Sequence, residues 1–391
     1  MKILYITNVR LPTHRAHGLQ VMKMCEAFKL TGADIRLIAP DLKPSVPEDP
    51  FSYYGIRTKF PLRKTAVLEL VPWQRWLGSW VSYVENFSFA LSAIVYLIVT
   101  GDIWGNSVFY TRDYTTAFVL ALLGRRLVFE MHDYRPTEPK ARIAFTLRRC
   151  RLIITNSEGT RDAVRAHYDI PPKKISALPN GVDATFYDVP QTQIEAKARF
   201  GIPEHTKVIS YIGRLETMGL EKGVSLLIHA FAAVRQQHAD AFLLVVGGPD
   251  EMVGRYRDEA RSVGIPDDSV RFTGQVPYAT IPELLRATDI GVIPFPAMKQ
   301  LASTASPLKV FEFMAAGKTI LASDLPSLRR YLNERNAAFF TAGDGSDLAE
   351  KLGYLLDHTA ESEMLAAVAL NDARQHSWTM RAKTILSRLH V

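Results

Sequence analysis

Short apolar runs alternate with amphipathic segments along most of the chain. Residues 2–7 and 34–39 have the pattern of buried strands, and apolar residues at helical spacing predict a helix over 18–31 between them. A strand, a helix and a second strand of these lengths make a β-α-β unit, which implies a parallel sheet. The loop between the first strand and the helix holds no glycine-rich fingerprint, so no NAD or FAD site is expected.

The same alternation returns at residue 108. In the first half it predicts strands and helices in turn, at 108–110, 115–123, 127–130, 137–150, 152–155, 158–168 and 175–178. In the second half the predicted strands are 208–212, 242–246, 270–273, 290–294, 319–322 and 338–340. The predicted helices lie near 223–238, 251–263, 278–288, 306–316, 325–333 and 345–358, with a last one at 377–389.

A polar, irregular stretch at 191–203 separates the two series. A chain of 391 residues is also too long for one ordinary core. We therefore predict an α/β protein with two Rossmann-like domains, 1–190 and 191–376, that face each other across a cleft. Ligands of such sheets bind outside the carboxyl ends of the strands.

Residues 44–85 lack clear periodicity. They are rich in basic and aromatic side chains, namely Arg57, Lys59, Arg63, Lys64, Trp73, Trp76 and Trp80. The apolar run at 87–100 follows them and is shorter than the roughly 20 residues that span a bilayer. Two interpretations stay open: an irregular excursion packed on the domain, or a segment that lies in a membrane interface.

Composition narrows the class of protein. Hydrophobic content of 47% and charged content of 22% are globular values, and two distant cysteines argue for a reducing compartment. The N-terminus has no signal-peptide pattern, so a cytoplasmic location is expected. Residues 1–190 hold 25 Lys and Arg against 17 Asp and Glu, which suggests an anionic substrate or membrane surface as partner. No nucleic-acid-binding motif is present, so we expect no such partner.

The sharpest candidate site is the segment from 304 to 317. Ser306 and Pro307 suit the start of a helix that Gly317 ends, and Lys309 lies in the first turn. Free N–H groups, the helix dipole and a lysine favour a phosphate. Glu312, one turn further, could accept hydrogen bonds from a ribose diol.

Other loops at predicted strand ends add to this site. Gly213 and Arg214 follow one strand, and Lys222 precedes the next helix, which suits a diphosphate. Gly248 follows a second strand. Gln275, Val276 and Pro277 follow a third, where backbone groups could meet a nucleobase. No Asp-x-Asp pair for a divalent metal follows an apolar strand, so we expect no metal or other cofactor.

In the first half, His132 follows a strand, between Glu130 and Asp133, and Arg112 ends an earlier strand. A histidine there can titrate near neutral pH or hydrogen-bond a sugar hydroxyl.

Taken in order, these motifs resemble the retaining, GT-B-fold glycosyltransferases of family 4, also called group 1, over nearly the whole chain. The matching segments are Gly18, 129–133, 179–183, Gly213 with Arg214, Lys222 with Gly223, 306–312 and 316–317. The resemblance implies a role for each matching position. Those expected to bind the donor are Gly18, Gly213, Arg214, Lys222, Gly248, Gln275, Val276, Pro277, Thr304, Ser306, Pro307, Leu308, Lys309 and Glu312. Those expected to bind the acceptor are His14, Arg15, Arg112 and His132, and those expected to act in catalysis are His132, Arg214 and Lys222.

The resemblance also implies that residues 377–391 form a helix that crosses back to the first domain. Two departures from the family pattern stand out. Thr304 occupies a position that is glutamate in many members, and the loop from Arg214 to Lys222 is longer than usual.

The expected activity is metal-independent, retaining transfer from a nucleotide-diphosphate sugar, with UDP favoured and GDP as the alternative. The acceptor would be a saccharide or a lipid-linked saccharide in cell-surface glycan synthesis, with peripheral contact to the inner face of an anionic membrane. A nucleotide-sugar 2-epimerase of the same fold and a non-catalytic nucleotide-sugar-binding protein remain as alternatives.

Overall fold

The computed structural model describes residues 1–70, 76, 78, 80–132, 139–217, 219–298 and 308–390. The chain divides into two compact units, Met1–Asn180 with Trp378–Val391, and Gly181–Ser377. Each unit contains one large parallel sheet with helices, as the alternating pattern predicts. The predicted α/β class with two Rossmann-like domains is confirmed.

Unit 1 is built on a seven-stranded parallel sheet with the order β3-β2-β1-β4-β5-β6-β7. Its strands are β1 (Lys2–Ile6), β2 (Asp34–Pro40), β3 (Leu62–Thr65), β4 (Val108–Thr111), β5 (Leu127–Met131), β6 (Leu152–Thr155) and β7 (Ile175–Ala177). Its helices are α1 (Ala16–Leu30), α2 (Pro50–Tyr53), α3 (Val81–Val99), α4 (Tyr114–Leu122), α5 (Lys140–Arg149) and α6 (Glu158–His167), with the C-terminal helix Trp378–His390.

Unit 2 is built on a six-stranded parallel sheet with the order β12-β11-β8-β13-β14-β15, beside a two-stranded hairpin, β9 and β10. These strands are β8 (Lys207–Ile212), β9 (Glu216–Thr217), β10 (Leu220–Glu221), β11 (Ala241–Val246), β12 (Val270–Phe272), β13 (Ile290–Ile293), β14 (Thr319–Ser323) and β15 (Ala338–Phe340). The helices are α7 (Gln193–Arg199), α8 (Val224–Val234), α9 (Asp250–Ser262), α10 (Ile281–Ala287), α11 (Leu308–Ala315), α12 (Pro326–Arg329), α13 (Gly345–Asp357) and α14 (Thr359–Ala373), which makes Trp378–His390 α15.

Both faces of the unit 2 sheet are buried. In β11, Leu244 and Val246 join one hydrophobic cluster, while Leu243 and Val245 join another. Alternate residues of a strand point to opposite faces, so a strand covered on both sides is apolar throughout. This is why these strands appear in the sequence as continuous apolar runs.

The structure corrects the prediction for residues 44–85. They include α2 and the strand β3, which pairs in parallel with β2 from Leu37 opposite Leu62 to Pro40 opposite Thr65. Arg63 and Lys64 are exposed because β3 lies at the edge of the sheet. Charged side chains are common on edge strands, and here they conceal the apolar pattern of a strand.

The apolar run at 87–100 is also longer than predicted. It belongs to α3, a helix of 19 residues that begins at Val81. Among the described residues this helix is long and apolar enough to cross a membrane, by length and composition alone. Phe89, Ala93 and Leu97 are nevertheless buried in the core of unit 1, so one face of α3 packs on the domain.

Two helices of unit 2 were missed. The polar stretch at 191–203 contains α7, whose N-terminus is a capping box: Thr192 and Glu195 each accept a hydrogen bond from the other's backbone N–H. Residues 359–373 form α14, whose buried face consists largely of small residues such as Ala366, Ala369 and Ala373. Such a face gives a weak hydrophobic signal.

The predicted boundary at 190 also differs from the division of the structure at Asn180. Phe186 and Tyr187 belong to the core of unit 2, where Phe186 stacks on Tyr278 with ring centroids 5.1 Å apart. The residues from 181 to 190 therefore pack with the second sheet.

Candidate functional site

The chain leaves β8 and β11 through glycines at the carboxyl edge of the unit 2 sheet. Gly213 has φ of 142° and Gly247 has φ of 130°. A Cβ on Gly247 would lie 2.0 Å from the carbonyl oxygen of Gly213, and one on Gly213 would lie 2.9 Å from Nζ of Lys309. Glycine is required where the backbone approaches so closely. The close approach places the Gly213 loop directly against Lys309.

The β9–β10 hairpin explains the long spacing between Arg214 and Lys222. The hairpin returns the chain to its start, so that the N–H of Lys222 donates to the carbonyl oxygen of Leu215 at 3.1 Å. Burial and then the nearby charge of Arg214 lower the pKa of Lys222. The two predicted phosphate-binding cations therefore lie close together. The helix α8 begins just beyond, and its N-cap residue Gly223 has no side chain to cap it.

Lys309 is the third cation of this group. Its ammonium nitrogen is buried, lies 3.7 Å from the centre of the Tyr211 ring and has no hydrogen-bond partner among the described residues. Burial lowers its pKa to about 7, with Lys222 adding to the shift and Glu312 opposing it. A buried ammonium without a hydrogen bond is costly to the folded state. An anionic ligand beside it would remove that cost.

Glu312 lies one turn further along α11. Burial raises the pKa of its carboxyl, although hydrogen bonds from Tyr278 and Tyr187 and the charge of Lys309 oppose the rise. The two tyrosine hydroxyls also contact each other at 2.7 Å. Glu312 is thus held in place by two aromatic side chains that the sequence did not indicate. An ionised carboxylate accepts more than two hydrogen bonds, so these two leave Glu312 able to accept others.

The loops after β11 and β12 are joined by Asp250. Its carboxylate accepts a hydrogen bond from the N–H of Gln275 at 3.0 Å, and Oε1 of Gln275 lies 3.0 Å from where a Cβ of Gly248 would be. Val276 packs partly buried against the core, whereas Pro277 is exposed. Leu308 is the first residue of α11. Thr304, Ser306 and Pro307, three further predicted donor residues, lie outside the described residues.

Unit 1 has a second polar cluster at the carboxyl ends of β4 and β5. Nε2 of His132 lies 2.6 Å from Oε1 of the buried Glu130. Burial of the ring and the positive charge of Arg112 lower the pKa of His132 to about 4, and Glu130 only partly opposes them. His132 is therefore neutral at physiological pH, and it donates its Nε2–H to the carboxylate.

Three more side chains belong to this cluster. Gln20 donates to Glu130 at 2.8 Å and accepts from Arg112 at 2.6 Å, and Arg381 of α15 also donates to Glu130, at 2.8 Å. Of these, the sequence indicated only Arg112. Gln20 and Arg381 carry no motif of their own.

The remaining predicted acceptor residues lie in the loop before α1. His14 and Arg15 are both exposed, and Nδ1 of His14 lies 2.9 Å from the hydroxyl of Tyr53. A Cβ on Gly18 would lie 2.1 Å from the hydroxyl of Tyr54. Packing of Tyr54 is thus one structural reason for glycine at this position. The role that the resemblance implies for Gly18, contact with the donor, stays a prediction.

Among the described residues, no three His, Cys, Asp or Glu side chains cluster in a way that could hold a metal ion. The expectation of metal-independent chemistry stays a prediction.

The comparison with protein families gives the class of protein. Residues 18–186 match the model of Glycosyltransferase Family 4, and residues 206–358 match that of Glycosyl transferases group 1. Together the two models cover most of the chain. The chain belongs to this family of glycosyltransferases, which confirms the resemblance found in the motifs.

Curated relatives are similar over part of the chain. The D-inositol 3-phosphate glycosyltransferase of Corynebacterium glutamicum (strain R) is 28% identical over 244 residues, 60% of this chain and 56% of that protein. The phosphatidyl-myo-inositol mannosyltransferase of Mycobacterium leprae is 29% identical over 212 residues, 54% of this chain and 51% of that protein. The matched region spans about half the length of these curated relatives.

Solved structures are similar over the whole chain. HepE of Anabaena, in complex with UDP and glucose, has a TM-score of 0.73 at 18% identity, with 100% of this chain and 99% of that chain covered. Sucrose-phosphate synthase of Thermosynechococcus elongatus has a TM-score of 0.73 at 16% identity, with 99% and 98% covered. These likenesses show the fold, which is the two-domain GT-B arrangement.

Proposed function

We propose that the protein is a retaining glycosyltransferase that uses a nucleotide-diphosphate sugar, UDP-linked in preference to GDP-linked, as its donor. The principal support is the buried ammonium of Lys309, which has no hydrogen-bond partner among the described residues and lies beside Lys222 and the Gly213 loop. Burial and the neighbouring cation lower the pKa values of both Lys222 and Lys309, and with Arg214 they form a group of three cations that suits a ligand with two phosphates. The UDP in the HepE complex is consistent with the choice of base.

In the proposed mechanism, these cations stabilise the negative charge that develops on the leaving diphosphate. Arg214 and Lys222 approach it from the β9–β10 hairpin, and Lys309 approaches it from α11. The acceptor hydroxyl attacks from the same face as the departing phosphate, whose oxygen takes the hydroxyl proton. No protein nucleophile and no metal is needed in this scheme. Glu312, fixed by Tyr187 and Tyr278, would accept hydrogen bonds from the ribose.

The experiment for this proposal begins with thermal shifts for UDP-, GDP- and ADP-sugars, since a ligand of the folded state raises the melting temperature. With the donor identified, R214A and K222A should each lower kcat/KM about 100-fold. K351A, at an exposed lysine that pairs with its neighbour Glu350, is the control. Activity of R214A and K222A within a few-fold of wild type would refute the assignment.

Product analysis with the donor alone tests the two alternatives. Accumulation of an epimerised nucleotide sugar would identify a 2-epimerase. Tight donor binding without turnover on any saccharide or lipid-linked acceptor would identify a non-catalytic binding protein. We expect neither, and an NMR assignment of the product should show retained anomeric configuration.

We also propose that the acceptor is a saccharide or a lipid-linked saccharide in cell-surface glycan synthesis, and that the enzyme works at the cytoplasmic face of an anionic membrane. The support is the outer face of α3. Tyr83, Phe87, Leu91, Val95 and Ile98 follow one another at helical spacing and are all about half exposed. The helix of 19 residues is about 28 Å long, and the apolar stripe from Tyr83 to Ile98 covers about 23 Å of it.

Basic residues border this stripe. The guanidinium of Arg63 lies 5.5 Å from the centre of the Tyr96 ring of α3, and Lys64 beside it is exposed. Just beyond the same, C-terminal end of α3, Arg126 donates to Asn106 and Trp104 is 71% exposed. An apolar face with aromatic and cationic borders fits the interface of an anionic bilayer. Trp76 and Trp80 are exposed as well, and Trp73 lies outside the described residues.

Flotation with vesicles tests this surface. The protein should float with vesicles that contain phosphatidylglycerol and much less with pure phosphatidylcholine, and the double variant L91E/V95E should not float. The matched control is M364E/V368E, which places two charges at the same spacing on exposed apolar positions of α14. Unchanged flotation of L91E/V95E, together with loss of a dimer in light scattering, would instead assign the stripe to a second copy of the chain.

A further inference from the structure

Arg381 lies on the C-terminal helix α15, and its side chain is almost completely buried in unit 1. Its Nε donates to the carbonyl oxygen of Pro179 at 2.8 Å, and its Nη2 donates to Oε1 of Glu130 at 2.8 Å. Nη1 contacts the sulfur of Met24 at 3.2 Å. Every edge of the planar guanidinium is thus held, which fixes its position as a lysine could not.

Glu130 receives hydrogen bonds from four side chains. Gln20, His132 and Arg381 donate to Oε1, and the Tyr110 hydroxyl donates to Oε2. Burial opposes ionisation of this carboxyl, but Arg381 and then His132 outweigh burial and hold its pKa well below the usual value. The carboxylate is therefore charged, and Arg381 is its principal counter-charge.

This arrangement selects one tautomer of His132. A carboxylate only accepts hydrogen bonds, so Nε2 of His132 must carry the proton that it shares with Glu130. In the neutral ring Nδ1 is then the acceptor.

We propose that Arg381 is a positioning residue for His132. It compensates the charge of Glu130, and through that carboxylate it keeps the imidazole neutral, with Nδ1 available to accept a hydrogen bond from a sugar hydroxyl. The part that concerns the sugar rests on the proposed function. The part that concerns the protonation state of His132 does not.

The charges that face His132 give the direction of the effect. Arg112, beyond the end of β4, and Arg381, on α15, oppose its protonation, while Glu130, on β5, favours it. Among the described residues, Tyr5 and Tyr110 also lie within electrostatic range of Glu130; burial raises the pKa values of both, so both stay neutral. Removal of Arg381 therefore leaves a buried carboxylate beside His132, with Arg112 as the remaining nearby cation in the described part of the chain.

Long-range ¹H–¹⁵N NMR of protein labelled in its histidines tests the proposal without any substrate. His132 is assigned by the loss of its signals in H132Q. In wild type we expect the Nε2–H tautomer and no protonation between pH 5 and 8. In R381M we expect His132 to become protonated within that range. K383Q, which removes an exposed charge from the same helix, should behave as wild type.

An Nδ1–H tautomer in wild type, or the same titration in R381M as in wild type, would overturn the proposal. R381M leaves Glu130 without its main partner and can fail to fold. The double variant E130Q/R381M removes both charges, so its His132 should stay neutral over the same range. Protonation of His132 in the double variant would show that the Glu130 charge is not the cause.

Kinetics then test the link to the reaction. R381M should lower kcat about tenfold, the effect of one lost hydrogen bond, and leave the affinity for the donor unchanged. R381K keeps the charge and should recover part of the loss. If R381M has the kcat of wild type but an altered His132 titration, the contact between His132 and the sugar is overturned and the rest of the proposal stands. If the wild-type protein has no transferase activity at all, the proposed function is refuted and the NMR result is unaffected.

Discussion

The two polar clusters lie at equivalent edges of two parallel sheets, yet they differ in how their charges are compensated. In unit 1, Glu130 and Arg381 neutralise each other, and Glu130 accepts hydrogen bonds from four side chains. In unit 2, the ammonium of Lys309 is buried without a hydrogen-bond partner among the described residues. A self-compensated cluster can hold a neighbouring group in place, whereas an uncompensated one favours a ligand of opposite charge.

The largest expected effect is on the stability of unit 1. Replacing Glu130 by leucine leaves the guanidinium of Arg381 buried without its counter-charge, which should lower the free energy of unfolding by about 3–5 kcal/mol. Urea denaturation followed by circular dichroism measures the change. The control E48L, at an exposed position, should stay within about 0.5 kcal/mol of wild type. If the free energy of unfolding of E130L falls by less than about 1 kcal/mol, the buried Arg381 does not depend on the charge of Glu130.

The second prediction concerns Lys309, where binding and stability should change in opposite directions. K309M should weaken donor binding about 100-fold, because a charge-assisted hydrogen bond to phosphate is lost. Its melting temperature without ligand should equal or exceed that of wild type, because the ammonium that is removed is buried and has no hydrogen-bond partner among the described residues.

The matched control for K309M is K318M. Lys318 is partly buried, and this burial lowers its pKa to about 8. It precedes β14 at the amino end of the sheet, however, and donates to the carbonyl oxygen of Arg286. Calorimetry should give wild-type donor affinity for K318M. An equal loss of donor affinity in K309M and K318M would show that Lys309 does not contact the donor.

The third prediction is a dependence of donor affinity on pH. The pKa of Lys309 is about 7 in the free protein, and a bound diphosphate raises it. The complex then holds a proton that the free protein loses above pH 7, so affinity should fall as pH rises, by at most about tenfold per pH unit. Calorimetry in HEPES and in Tris at pH 8 should reveal proton uptake. K309R keeps its charge and should abolish the uptake; persistence of the uptake in K309R would assign it to another group.

The smallest expected effect comes from Gly213. G213A combines a strained φ of 142° with a Cβ only 2.9 Å from Cε and Nζ of Lys309, and should displace that ammonium. We expect donor binding to weaken about tenfold, the equivalent of one hydrogen bond. Gly343 also has a positive φ, of 87°, but open space where a Cβ would lie, so G343A should lose stability and keep its affinity. Identical donor affinities for G213A and G343A would mean that the close approach of Gly213 to Lys309 does not affect donor binding.

Two elements of the fold, α7 and β3, have signals in the sequence that the prediction of secondary structure does not use. The capping box of Thr192 and Glu195 marks the start of α7 in a stretch that was expected to be irregular. The strand β3 had a weaker signal, because Arg63 and Lys64 interrupt its apolar pattern.

The candidate site likewise contains residues that the sequence indicates and residues that it does not. Gly213, Arg214, Lys222 and Lys309 could be named from the sequence, because each follows a strand or lies at the start of a helix, and strand ends collect at one edge of a parallel sheet. Glu312 could be named with them, because it lies one turn beyond Lys309 on the same helix. Tyr187 and Tyr278, which hold Glu312, are 91 residues apart and belong to no motif. Their contact depends on the packing of the segment 181–190 onto unit 2.

The sequence by itself determined the two series of strands and helices, and with them the parallel sheets and the loops that bear charge. These follow from local periodicity, which each segment expresses independently of its distant neighbours. Only the tertiary structure decided which charges are compensated. Arg381 reaches Glu130 across 251 residues of chain, while Lys309 has no hydrogen-bond partner in the part of the chain that the structure describes. Burial and pairing depend on which surfaces meet when the chain folds.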